Sequence, residues 1–352
     1  MTQGDHSPLW PGVPMALAAA VLFGAAAPFA KLLLGEVEPQ LLAGLLYLGA
    51  GIGLAAVHFG RAALGFPAPE APLRAGDLPW LSAVVLFGGV LGPLLLMLGL
   101  ARTDAASGSL LLNLEGLFTM GIAWLVFREN VDRRLLLGAL AILAGAAVLS
   151  GGGRGVEVDT GAVLIAAACL AWGIDNNLTR KLSSADPVLT AMIKGLAAGT
   201  VNTGLAVLGG AAIPAPAIMG ASVGFVGIGI SLVLFVLALR HLGTARTSAY
   251  FSLAPFIGAV LAIGLLHEAV SVNIVLASLS MGVGLWLHLA ERREHEHPHE
   301  ALEHEHSHTH DAHHRHTHEG PVSEPHSHWH RHAPLRHSHP HYPDLHHRHG
   351  HG

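Results

Sequence analysis

The chain has 352 residues, of which 51% are hydrophobic and 12% charged, with a formal net charge of −5 at pH 7. Soluble globular domains carry about 25% charged residues, and this much apolar surface exceeds what one soluble core hides. The absence of a basic patch argues against nucleic acid as a partner, and a single cysteine, Cys169, excludes a disulfide framework or a cysteine-based zinc site.

The charge is unevenly placed. Residues 1–290 hold 13 Lys/Arg and 14 Asp/Glu, whereas residues 291–352 hold 6 and 10, with 22 of the 27 His. The chain therefore reads as an apolar body followed by a polar tail. A bilayer core of roughly 30 Å needs about 20 apolar residues per helix. In chain order, the body supplies ten such stretches, at 11–34, 39–59, 78–101, 105–127, 135–150, 161–179, 187–208, 217–239, 245–266 and 273–290. Links between them are short, so successive helices run antiparallel. The longest, 60–77, contains Pro67, Pro69 and Pro72 and is not helical throughout. The first apolar stretch lacks the basic flank of a cleavable signal peptide.

Basic residues in the short links give an orientation. Arg61, Arg74, Arg128, Arg133, Arg134, Arg180, Lys181, Arg240, Arg246, Arg292 and Arg293 fall on the side of the N-terminus; Lys31, Arg102 and Arg154 fall on the other. This bias predicts that both termini, and hence the tail, are cytoplasmic in a plasma (inner) membrane. Small residues recur at helix-packing spacing in Gly88 and Gly92, Gly195 and Gly199, and Gly220 and Gly224.

The body repeats itself. Leu22-Phe23-Gly24, followed by Lys31, matches Ala171-Trp172-Gly173, followed by Arg180. Asn113-Leu114-Glu115-Gly116-Leu117 and Glu129 match Ser252-Leu253-Ala254-Pro255-Phe256 and Glu268. Each half holds five spans. An odd number inverts the second half relative to the first, an arrangement found in secondary transporters with a midplane site between the halves.

Segments 18–34, 97–150, 166–187 and 232–268 resemble the drug/metabolite transporter superfamily, EamA type. The match runs through Asp104-Ala105-Ala106 to Phe118, Phe127-Arg128-Glu129, Gly138 to Gly145, Leu242-Gly243-Thr244-Ala245 to Pro255, and Glu268. The resemblance covers the body and stops before the tail. It implies a ten-helix carrier with a central cavity and export driven by an ion or substrate gradient. It leaves room for a homodimer, which no sequence feature fixes. One departure is Gly116, preceded by Glu115, where many relatives have a proline in an apolar setting.

Ionisable residues inside spans are functional-site candidates, because lipid makes them costly. Glu115 lies near the centre of the fourth span and is expected to line the cavity, binding a proton or a cationic substrate. Its alternative is a structural carboxylate bonded to a neighbouring helix. Asp175 in the sixth span and Lys194 in the seventh lie at similar depth and could pair, either as part of the site or as a lock between helices. Asn113, Asn176 and Asn177 are polar company that needs partners in lipid. Asn113 and Glu115, two apart, point to different sides of a regular helix; Gly116 permits an irregular one. Trp172 and Tyr250 could stack on a substrate, the alternative being packing. Glu129 and Glu268 occupy equivalent helix ends and read as caps or as partners of basic residues rather than as substrate ligands.

From residue 295 the tail becomes a histidine comb: His295, His297, His299, His304, His306, His308, His310, His314, His316, His318, His326, His328, His330 and His332, with more beyond. It has too few apolar residues to fold alone. Neutral imidazole suits Zn, Ni, Co or Cu ions, so the tail is expected to bind several of them weakly. It could serve metal export by the body, buffer metal independently, or touch anionic lipid when protonated.

Together these readings predict an all-α membrane protein of ten transmembrane helices. Two inverted five-helix repeats, 11–150 and 161–290, precede a disordered cytoplasmic His-rich tail, 291–352. The protein is expected to be no enzyme and to require no cofactor. The leading function is secondary-active export of a small metabolite or a divalent transition metal across the lipid bilayer. The alternative is a membrane-anchored metal-binding buffer or sensor whose body is not metal-specific.

Overall fold

The computed structural model describes residues 11–65, 73, 75–127, 133–150, 159–182, 186–289 and, in the tail, 294–299, 303–308, 326–331 and 335–340. Among them are ten helices long and apolar enough to span a membrane: α1 (Gly12–Leu33), α2 (Pro39–Ala63), α3 (Ala75–Leu100), α4 (Ala105–Phe127), α5 (Arg133–Ser150), α6 (Thr160–Thr179), α7 (Pro187–Leu208), α8 (Ala217–Leu242), α9 (Arg246–Leu266) and α10 (Val272–Leu289). The protein is an all-α multi-pass membrane protein. Its large apolar side chains point outward as well as inward: Leu125, Leu208, Ile218 and Leu279 are all exposed, as lipid-facing residues should be.

Helix ends are satisfied locally, because an unpaired amide is costly where water is scarce. The Glu38 carboxylate accepts from Leu41 N at 2.8 Å. Asp104 accepts from Ser107 N at 2.7 Å and Asp186 from Val188 N at 2.8 Å. Asp159 accepts from Gly161 N and Ala162 N at 3.0 and 3.2 Å. Gly243 carries the chain from α8 to α9 at φ 77°, a conformation that strains any residue with a Cβ.

The main packing partners are α2 with α7 and α8, α5 with α10, α1 with α8 and α9, and α6 with α3 and α4. Small residues let the backbones meet. A Cβ on Gly195 would sit 2.9 Å from Cα of Gly51, and one on Gly199 would sit 2.4 Å from Leu48 N. A Cβ on Gly220 would meet Leu42, and one on Gly224 would overlap the Leu46 carbonyl. Gly88 and Gly92 instead make room for side chains, those of Asp175 and Trp172.

Two kinds of irregularity recur at matching positions. α3 contains a π-helical stretch at Val85–Leu91, and α8 has one at Phe225–Ile230. α4 tightens at residues 112–113, where Leu112 N and Asn113 N donate to carbonyls three residues back, and α9 tightens at 252–253. The irregular turn in α4 thus falls before Glu115 rather than at Gly116, which is helical. The Asn113 side chain stabilises that turn by donating to the Leu110 carbonyl at 2.8 Å.

In the tail, where composition predicts no regular structure, four six-residue segments pair. β1 (Glu294–His299) runs antiparallel to β4 (Leu335–Pro340), and β2 (Glu303–His308) antiparallel to β3 (His326–Arg331). Isolated two-stranded ribbons are marginal in water, and these have few apolar residues to bury, so the pairing supplies no core. His310, His314, His316, His318 and His332 lie outside the described residues.

Replacing Gly195 by Leu should lower the apparent melting temperature of the detergent-solubilised protein, because the clash is with backbone that cannot yield; overpacking costs about 1–3 kcal/mol. Gly204→Leu, where nothing lies within 4 Å of the added Cβ, should leave it near wild type. Equal effects would contradict the α2–α7 close approach.

Candidate functional site in the central cavity

A cavity of about 460 Å³ lies inside the bundle, lined from α1, α2, α3, α4, α6, α7, α8 and α9. Its architecture starts from the π-helical stretch of α3. There Gly92 N donates to the Phe87 carbonyl, one residue further back than in an α-helix. The next residue, Pro93, has no N–H, so the Gly88 carbonyl receives no helical donor. Two side chains replace it: Tyr47 Oη donates to Gly88 O at 2.9 Å and Trp172 Nε1 at 3.0 Å. Both rings line the cavity, and Gly92 leaves the space in which the indole lies.

Charged groups gather on one wall. Lys194 Nζ lies 2.8 Å from Asp175 Oδ2, with Asp175 buried and Lys194 partly so. Thr179 Oγ1 donates to the other Asp175 oxygen at 3.3 Å. Glu115 Oε1 accepts from Asn176 Nδ2 at 2.9 Å, and that same amide reaches Thr119 Oγ1 at 3.1 Å. The wall from α1, α8 and α9 is aromatic: Phe251 lies 5.2 Å from Phe23 and 4.8 Å from Phe235, centroid to centroid.

Of the sequence candidates, Glu115, Asp175, Lys194, Asn176 and Trp172 come together around this cavity. The other three do not line it. Asn113 turns toward α10, with Nδ2 3.8 Å from Met281 Sδ. Asn177 is buried and donates to the carbonyls of Thr119 and Gly173, joining α6 to α4. Tyr250 packs beside Ala16, Ala238 and Leu242. Tyr47, Thr179, Phe23, Phe235 and Phe251 line the cavity without having been singled out. Phe23 was within reach, since the repeat matches it to Trp172; the others carry no sequence signal apart from the fold. Cys169 is buried against the Leu111 carbonyl at 3.6 Å and reads as packing.

The cavity runs from Ala30 and Met97, near the far ends of α1 and α3, past Glu115 to Leu182 and Pro187 at the α6–α7 end of the bundle. At the opposite face the helix ends are tied across. Lys31 Nζ donates to the Leu100 and Thr103 carbonyls at 2.5 and 2.7 Å. Glu268 accepts from Ala105 N and Ala106 N at 2.7 and 2.8 Å, capping α4 from the α9–α10 link, and the Thr103 hydroxyl donates to Asp159. Glu268 is thus the cap that its position suggested; Glu129, its match in the first half, lies outside the described residues.

Ten spanning helices around a cavity that holds charged side chains are the frame of a membrane transporter. The chain belongs to the EamA-like transporter family of the drug/metabolite transporter superfamily, which it matches over residues 10–151 and again over 159–290. It is 30% identical over 281 residues to an uncharacterized transporter of Methanothermobacter thermautotrophicus, covering 75% of this chain and 81% of that one. Among solved structures it is similar in fold to one described as the crystal structure of a protein, with a TM-score of 0.58 and 18% identity over 79% of this chain and 95% of that chain.

Removing one member of a buried ion pair leaves an uncompensated charge and costs about 3–5 kcal/mol. Lys194→Met should therefore lower the apparent melting temperature more than the double change Lys194→Met with Asp175→Asn. Thermal unfolding in detergent reads the comparison; a double variant as unstable as the single one would contradict the pairing.

Proposed function

We propose that the protein is a secondary-active carrier that exports a small organic solute through the central cavity, with Glu115 as the group that binds solute or coupling proton. The observation that carries this reading is a carboxylate at the cavity wall whose hydrogen-bond donor there is a neutral amide. Holding such a group in a membrane interior is costly and needs a functional return. A dehydrated divalent metal would need a cluster of His, Cys, Asp or Glu. Among the described residues no group of three such side chains is placed to hold a metal ion, and most of the lining is apolar. An organic solute therefore fits better than a bare metal ion.

The two halves act as inverted five-helix repeats. Support comes from the twofold family match and from the matching irregularities of α3 with α8 and of α4 with α9. Exchanging each helix for its counterpart also turns the α1–α8 and α1–α9 contacts into α6–α3 and α6–α4, while α2–α7 and α5–α10 map onto themselves. Basic links on the α6–α7 side favour a cytoplasmic location for that face and both termini in a plasma membrane, and the cavity then reaches the cytoplasm. The tail is a metal-binding accessory. Its histidines, dense in sequence from His295 to His351, suit Zn, Ni, Co or Cu.

The test compares retained organic solutes and metals in cells making the full chain, the 1–291 truncation or Glu115→Ala at matched protein levels. Glu115→Ala should raise retention of the exported organic solute, on the order of tenfold or more if a charge-assisted contact is lost, and the truncation should alter only metal retention. Glu115→Ala behaving as the full chain would overturn the carrier role of this site; a matching rise in retained metal would assign the body to metal instead.

A further inference from the structure

Resting on the carrier reading above, we infer that the solute is an organic monocation with an aromatic or bulky apolar body, its charge held by Glu115 and its body against the aromatic wall.

The charged side chains lining the cavity are Glu115, Asp175 and Lys194. Lys194 is engaged at 2.8 Å by Asp175, so its ammonium compensates that carboxylate. With both carboxylates ionised, one negative charge remains, on Glu115, whose partner there is the amide of Asn176. A carboxylate in such a setting favours a cation within reach and repels an anion. Lys194 does not serve a solute anion at equal strength, because freeing it would strand Asp175, which is buried.

Shape and polarity supply the second observation. Phe23, Phe235 and Phe251 form a continuous contact of three rings, and Trp172 is pinned by its bond to Gly88 O. Ring faces attract cations and bury apolar bodies. The match between halves makes the charge asymmetry plain: an uncharged residue of α9 stands where the other half has Glu115, whereas Phe23 and Trp172 put a ring in both halves. Charge is thus confined to the α4–α6–α7 wall, and the three-ring cluster of Phe23, Phe235 and Phe251 lies on the α1–α8–α9 wall. A solute with one cationic end and one apolar end uses both walls together; an inorganic cation uses only the first.

The full chain, purified in detergent and also placed in liposomes, is offered four probes. They are benzyltrimethylammonium, its uncharged isostere neopentylbenzene, benzenesulfonate, and tetramethylammonium, which has charge without a ring. Equilibrium binding should rank benzyltrimethylammonium above the other three. Glu115→Gln should weaken its binding about tenfold or more, and Phe251→Leu about threefold or more. Preference for benzenesulfonate or neopentylbenzene, equal binding of tetramethylammonium, no binding of benzyltrimethylammonium to the full chain, or unchanged binding by Glu115→Gln would each overturn the assignment. Flux of the same probes separates this claim from the carrier reading. If the cation binds through Glu115 and no probe crosses, the site assignment stands and the carrier reading fails. If a neutral or anionic probe crosses while the cation neither binds nor crosses, the carrier reading stands and the substrate class is wrong.

Discussion

The Gly88 carbonyl is the point on which the site is built. In a membrane a backbone oxygen without a donor is costly, and the π-helical turn followed by Pro93 creates one at mid-span. Tyr47 from α2 and Trp172 from α6 converge on it, so three helices are registered by one acceptor. The same stretch of α3 places Gly88 where the Asp175 carboxylate lies and Gly92 where the indole lies. A local defect in α-helical geometry thus becomes the means by which α6 is seated. With α6 fixed, Asp175 meets Lys194 and Asn176 meets Glu115.

Electrostatics and packing are therefore one problem in this bundle. A lone charge in the apolar interior is expensive, and Lys31, Glu115, Asp175, Lys194 and Glu268 each have a hydrogen-bond partner. Near the α6–α7 end, Asp186 both caps α7 and lies 3.6 Å from His58. Across the opposite face, Lys31 and Glu268 satisfy buried helix ends of α3 and α4 with charge of the right sign: ammonium on carbonyls and carboxylate on amides. Those contacts join elements distant in sequence, which is how a face can be closed by side chains belonging to helix termini.

Hydropathy made most of the fold legible before any coordinates. Each of the ten spans is set by a continuous apolar run, and length alone decides whether such a run can cross. The extra turns at the end of α2 and at the end of α8 were missed because Arg61, Arg240 and His241 end the apolar run while the helix continues. Glu115, Asp175 and Lys194 were legible for a related reason: charge in an apolar stretch stands out, and similar depth suggested the Asp175–Lys194 pair. Asn113, Asn177 and Tyr250 show the limit. A polar residue in a span needs a partner, but periodicity does not say whether that partner is a substrate or the next helix. Asn177 serves α4, and Asn113 serves the irregular turn of its own helix. Phe235 and Phe251 were illegible for the opposite reason, since an aromatic ring in an apolar run carries no contrast.

Glu115 lines a cavity that runs to Leu182 and Pro187 at the α6–α7 end, while Lys31 and Glu268 tie helix ends together at the opposite face. The most direct measurement is labelling of Glu115→Cys, with Cys169 replaced by Ala, by a membrane-impermeant thiol reagent applied to sealed vesicles of either orientation. Faster labelling from the α6–α7 face, with Lys31→Ala raising the rate from the opposite face, is the predicted result. Equal rates from both faces, or no labelling from either, would contradict access from the α6–α7 end and the role assigned to Glu115 in the cavity.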